Sequence, residues 1–152
     1  MTDTVLVAVS DSPAAFEAAE VAVELAARIG ATLHALSVLG TGELTGRLEG
    51  VDHLNLVREQ AATAALRHVA ALCAAAGVAS TEVRRHGHVA AQILEYAHDV
   101  GATVIVMACV DRPSHTLPYV GSQTLRVLEF ATVPVLVVPA RRGAHRGAFA
   151  PG

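Results

Sequence analysis

The chain has 152 residues and a mass of 15.7 kDa, enough for one domain with a single core. Its formal net charge is −3, all 11 basic residues are arginine, and 3 % of the residues are aromatic, which excludes the composition of a typical nucleic-acid binder. The longest apolar run, Val104 to Val110, is too short to cross a bilayer. Because Asp3 stands where a secretory signal would be basic, we expect a cytoplasmic protein without membrane insertion.

Strand and helix patterns alternate along the chain. Short runs of branched apolar residues are typical of strands covered on both faces, and apolar residues at helical spacing predict helices. The first helix is expected to start where Asp11 or Ser12 caps it and Pro13 takes its first turn, and to stop at Gly30. In chain order we predict strand 4–9, helix 13–29, strand 31–39, helix 51–76, strand 82–86, helix 90–100, strand 103–109, helix 122–130 and strand 134–138.

Two segments lie outside these elements. Residues 40–50 contain four glycines and predict a loop. Residues 141–152 are rich in Gly, Ala and Arg and predict a disordered basic tail, so that the α/β domain spans residues 1–140. Within the long second helix, the residues expected on the inward side are Leu54, Ala61, Ala65, Val69 and Leu72.

The alternation of five strands with four helices predicts a doubly wound five-stranded parallel sheet with helices on both faces. Such sheets bind ligands beyond the carboxyl ends of their strands, near the point where the strand order reverses. The loops to search are therefore those that follow Val9, Leu39, His86 and Cys109.

The loop after the fourth strand is a candidate anion site. It begins at Met107 and Ala108 and leads to the start of the last helix at Gly121, Ser122 and Gln123. Free backbone N–H groups at a helix start, together with the Ser122 hydroxyl, suit a phosphate. The alternative is an ordinary strand-to-helix loop in which Ser122 is the N-cap.

Three segments carry a resemblance to a known family. These are VLVAVSDSPAAFEAAEVAVELA near the N-terminus, HGHVAAQILEYA in the middle, and VIVMACVDR…GSQTLRVLEFATVPVLVVP. Together they resemble the universal stress protein A family over nearly the whole chain up to Pro139. The resemblance implies the strand order 3-2-1-4-5, a homodimer, and a stress-linked regulatory role that involves binding and not catalysis.

The resemblance also implies a pocket for an adenine nucleotide, AMP or ATP. Nucleotide-binding members have the loop G-x2-G-x9-G-[ST], and this chain keeps the spacing but places Ala108 and Asp111 at the first two glycines. The usual acidic residue after the first strand falls on Ser10, and the adenine contact of the second strand falls on Val38. The pocket residues implied are Ser10, Asp11, Val38, Met107, Ala108, Asp111, Arg112, Gly121, Ser122 and Gln123.

The two glycine replacements predict weak or absent ATP binding. Ala108 adds a methyl group where the backbone approaches phosphate. Asp111 places a carboxylate beside the expected phosphates, although Arg112 could neutralise it. The alternatives are a functional AMP or ATP sensor and an enzyme of the wider nucleotide-binding α/β group. No catalytic residues are predicted, since the chain has no lysine for a Walker motif and no specifically placed Ser/His/Asp set.

The positions of the histidines and cysteines favour structural roles over metal binding or thiol chemistry. His86 and His88 would share one face of a strand, but no third ligand accompanies them, so no metal is predicted. His34 and the other histidines within elements are expected at the surface, and Cys109 is expected to be a small buried side chain.

The last strand predicts the dimer interface. It is apolar on both faces and comes last in the chain, where a sheet edge is expected. An uncovered apolar edge invites pairing with another chain, here through Val135, Leu136 and Val137. An unknown protein partner is also compatible with a regulatory role.

Overall fold

Five parallel strands form one sheet in the order β3-β2-β1-β4-β5, as predicted. In this computed structural model, the described residues are 2–10, 12–40, 51–109 and 120–139. The strands are β1 (Thr4–Ala8), β2 (Thr32–Leu39), β3 (Ser80–His86), β4 (Val104–Ala108) and β5 (Val135–Val138).

Four helices cover the two faces of the sheet. They are α1 (Pro13–Ile29), α2 (Val51–Ala76), α3 (Val89–Val100) and α4 (Ser122–Phe130). The alternation of side chains along β1 divides the core into two layers, with Val5 and Val7 under α1 and α2 and Leu6 under α3 and α4. This double burial explains why the strands are continuous apolar runs. Among the described helices, none has the length and apolarity that a bilayer span needs.

The predicted elements are all present, with strand and helix ends that differ from the prediction by up to two residues. Gly30 ends α1 in the left-handed conformation, with φ of 67°, which glycine adopts without strain. The predicted tail lies outside the described residues, as does the loop between β2 and α2 apart from Gly40.

The inward side of α2 differs from the prediction. Leu54, expected to face the core, is 52 % exposed. Ala65 and Val69 are buried as predicted, and the other buried residues described in the helix are Ala62, Leu66 and Cys73. Alanine occupies several faces of this helix, so the sequence defines no single apolar stripe, and small differences in helix rotation change which residues point inward.

Candidate functional site

The carboxyl ends of β1 and β4 define the candidate site. These two strands are neighbours in the sheet, with Val7 paired in register with Val106. The chain leaves β1 toward α1 on one face and leaves β4 toward α4 on the other. Sheets of this type bind ligands in the crevice at their topological switch point, which in this strand order lies between the ends of β1 and β4.

On the β1 side, two serines lie at the crevice. Ser12 is the N-cap of α1, and its hydroxyl accepts a hydrogen bond of 3.2 Å from the backbone N–H of Ala15. Of the two predicted capping residues, Ser12 therefore fills the position. Ser10 is exposed, and its hydroxyl lies 3.1 Å from that of Ser12. Asp11 lies outside the described residues.

On the β4 side, the backbone is held by two hydrogen bonds. The carbonyl of Ala108 accepts one of 3.4 Å from the hydroxyl of Thr124, and the N–H of Cys109 donates one of 2.9 Å to Val138. No described residue other than glycine has a positive φ, so Ala108 fits its backbone conformation without strain. Met107 is buried under α3 and α4.

The start of α4 lies at this end of the sheet and has no side-chain cap among the described residues. Gly121 is its buried N-cap, with φ of −64° and ψ of 159°, and it provides no side-chain cap. Ser122, which follows at the first helical position, is exposed. A helix start without a side-chain cap leaves N–H groups, and the positive end of the helix dipole, available to an anion.

Gln123 has a structural contact. Its side-chain oxygen accepts a hydrogen bond of 3.2 Å from the backbone N–H of Ala90, in the first turn of α3. His88, the N-cap residue of α3, makes no side-chain capping bond, so Gln123 caps α3 from the neighbouring helix. The sequence analysis missed this role because residues 33 positions apart give no local pattern.

Val38 lies near the carboxyl end of β2, half-buried against the α3 and α4 layer. The structure thus brings Ser10, Val38, Ala108 and Gly121 to one end of the sheet, at the ends of three adjacent strands and the start of one helix. Asp111 and Arg112, the charged residues of the predicted loop, lie outside the described residues.

A polar cluster that the sequence analysis missed lies between β2, β3 and α3. His34 Nδ1 is 2.7 Å from the hydroxyl of Tyr96, and the Arg85 guanidinium lies 4.9 Å from the centre of the Tyr96 ring. Arg85 also forms an ion pair with Asp99 at 3.5 Å. His34 is half-buried, which corrects the prediction of a surface position, and burial lowers its pKa. Burial also raises the pKa of Tyr96.

Two further histidines, His86 and His88, and the cysteine beside the site, Cys109, were also candidates for chemistry. His86 Nε2 lies 3.4 Å from a carboxylate oxygen of Glu59, and His88 is exposed at the start of α3. In the part of the chain that the structure describes, no three His, Cys, Asp or Glu side chains converge as metal ligands. Cys109 is buried, as predicted, and burial raises the pKa of its thiol, which disfavours the reactive thiolate.

Comparison with known proteins identifies the class of protein to which this fold belongs. The sequence model of the universal stress protein family matches residues 1–139. The chain belongs to the universal stress protein family. A comparison with curated protein sequences finds no match.

Solved structures agree with this family. The chain is similar to the universal stress protein UspA from Lactobacillus plantarum, with 28 % identity, a TM-score of 0.78, and coverage of 90 % of this chain and 97 % of that one. A universal stress family protein from Burkholderia pseudomallei has 28 % identity and a TM-score of 0.72, with 91 % and 96 % covered. A universal stress protein in complex with cAMP has 22 % identity and a TM-score of 0.69, with 92 % and 98 % covered.

Proposed function

We propose that this protein is a regulatory, non-catalytic stress protein whose β1–β4 crevice binds adenine nucleotides, with weak or absent binding of ATP. The observation that carries the proposal is the start of α4, where backbone N–H groups without a side-chain cap lie beside the end of β4. The cAMP complex of a similar protein supports an adenine nucleotide as the ligand class.

We expect weak ATP binding because a carboxylate repels the phosphates. Asp111 occupies the position of the second glycine in the family loop and brings a carboxylate into the phosphate-binding segment. Two like unit charges about 4 Å apart repel by roughly 1 kcal/mol in water and about 4 kcal/mol at an effective dielectric of 20. Each ~1.4 kcal/mol of repulsion lowers the binding affinity tenfold, so the affinity for ATP falls at least several-fold. The affinity for a nucleotide with fewer phosphate charges, such as AMP, falls less.

Calorimetry with ATP and AMP tests the proposal on the wild type and on the double variant Ala108→Gly/Asp111→Gly. We expect the variant to bind ATP several-fold tighter and the wild type to bind AMP better than ATP. The matched control is Glu129→Gln, which removes one negative charge from the exposed far end of α4 and leaves ATP affinity at the wild-type value.

Two other outcomes separate the alternatives. Tight ATP binding by the wild type that is unchanged in the double variant contradicts the charge argument and favours a functional nucleotide sensor. Turnover of ATP in the presence of magnesium contradicts the non-catalytic role and favours an enzyme.

The second part of the proposal is that the protein acts as a homodimer joined through β5. This strand lies at one edge of the sheet, where its neighbour among the described strands is β4. Leu136 is 39 % exposed there, and Val135 and Val137 beside it are half-buried. An apolar edge strand with free backbone groups is a template for pairing with a second copy.

A further inference from the structure

A groove that is separate from the β1–β4 crevice lies between α2 and the edge strand β3. It has a volume of about 330 Å³. Because β2 stands between β3 and β1 in the sheet, the groove lies two strands away from the crevice. Its lining residues are Leu56, Glu59, Gln60, Thr63, Ala64, Arg67 and Arg84.

Two arginines face this groove without an acidic partner. Among the residues that the structure describes, no carboxylate forms an ion pair with Arg67 or Arg84, whereas Arg28 has one such partner and Arg85 has two. Arg84 donates a hydrogen bond of 3.0 Å to the hydroxyl of Thr63. That contact holds the guanidinium at the groove wall and leaves its other N–H groups available.

The remaining lining residues add a fixed hydroxyl, a carboxylate and apolar surface to the groove. The hydroxyl of Thr63 donates to the backbone carbonyl of Glu59 at 3.0 Å, so its position is fixed within α2. Glu59 is the carboxylate among the lining residues, and its side chain lies 3.4 Å from His86 Nε2. Leu56 and Ala64 add apolar surface to the same groove.

We propose that this groove is a second ligand site, which binds a small molecule with a phosphate or carboxylate group between Arg67 and Arg84. A guanidinium presents planar N–H donors that match the oxygens of both groups and remains charged at any physiological pH. The apolar side chains contact the carbon part of the ligand. Charge on β3 also discourages another strand from pairing there, so the groove stays open to a small molecule.

Nuclear magnetic resonance of the arginine side chains tests this site on the whole protein, with inorganic phosphate and succinate as the two probes. We expect saturable shifts of the Arg67 and Arg84 Nε–H signals with at least one probe. The probe that binds more tightly identifies the phosphate or the carboxylate class.

The double variant Arg67→Gln/Arg84→Gln is expected to weaken that binding about tenfold, as the loss of charge-assisted hydrogen bonds predicts. The control is Arg58→Gln, which removes one positive charge from an exposed α2 position outside the groove lining and is expected to keep wild-type affinity. The absence of saturable shifts in the wild type with both probes overturns the proposal. An equal loss of affinity in Arg58→Gln and in the double variant also overturns it, because it shows attraction to net charge alone.

Discussion

His34 is the residue whose surroundings predict a pH dependence of stability. Burial lowers its pKa in the folded protein below the ordinary value of 6.5. The unfolded chain therefore binds this proton more readily, and acidification favours unfolding. We expect the free energy of unfolding contributed by His34 to be fully present above pH 6.5 and to fall as the pH decreases toward the folded-state pKa, with a limiting slope of about 1.4 kcal/mol per pH unit.

Urea unfolding of the wild type and of His34→Gln between pH 7.5 and pH 5 measures this contribution. The variant is expected to lose less stability on acidification than the wild type. The control is His98→Gln, whose side chain is exposed on α3, and its pH profile is expected to follow the wild type. Parallel profiles for the wild type and His34→Gln would show that His34 does not cause the pH dependence.

At the residue scale, the sequence predicts contacts that are local and misses those that are distant. Ser12 was one of two predicted caps because a capping bond spans three residues. The bond between His34 and Tyr96 joins residues 62 positions apart, and its existence depends on how α3 packs on β2. The available signal was His34 itself, an ionisable residue within the largely apolar strand 31–39, since a buried polar group needs a partner.

At the scale of elements, Gln123 predicts a coupling between α3 and α4. Its side chain is the capping acceptor for the Ala90 N–H, so Gln123→Ala leaves that helix start without this acceptor. We expect a loss of about 0.5–1 kcal/mol in the free energy of unfolding, the lower part of the range for a cap, because Gln123 is exposed and water replaces part of the bond. Hydrogen exchange of the Ala90 amide is expected to become faster.

The matched control for this prediction is Gln60→Ala. It makes the same change at an exposed position of α2, where the glutamine side chain has no hydrogen bond to another described residue. Its stability is expected to equal or slightly exceed that of the wild type, since alanine favours helices. If Gln123→Ala leaves both the stability and the Ala90 exchange rate unchanged, the cap contributes nothing in solution.

The helices differ in how well the sequence predicts their bounds and their buried sides, and the difference has a physical reason. The bounds of α4 were predicted in full because Gly121 precedes it and its apolar residues have helical spacing. The bounds of α2 were also predicted, but its inward side was predicted only in part: Ala65 and Val69 are buried and Leu54 is exposed, because alanine fits equally well on buried and exposed faces. The loops that hold the candidate site were predicted from the doubly wound sheet, whereas its positions on β1 and β2, Ser10 and Val38, came from the family resemblance, since only the folded sheet brings three strand ends together.

At the scale of the whole molecule, the two edges of the sheet differ in charge. On β3, the residues Glu82, Arg84, Arg85 and His86 place ionisable groups on four of seven positions. On β5, all four residues, Val135–Val138, are apolar. Charged side chains on an edge strand prevent it from pairing with another sheet, and an apolar edge lacks this protection. The difference predicts that two copies associate through β5 and leave β3 free.

Sedimentation analysis of Leu136→Lys tests this association. The substitution places a charge at an exposed position of β5, and in a dimer paired through these strands it brings two lysines close to the same symmetry axis. We expect the wild type to sediment as a dimer and the variant to shift toward monomer. The matched control is Thr81→Lys, which adds the same charge at an exposed position on the opposite edge strand and is expected to remain dimeric. A monomeric wild type, or equal dissociation of both variants, contradicts pairing through β5.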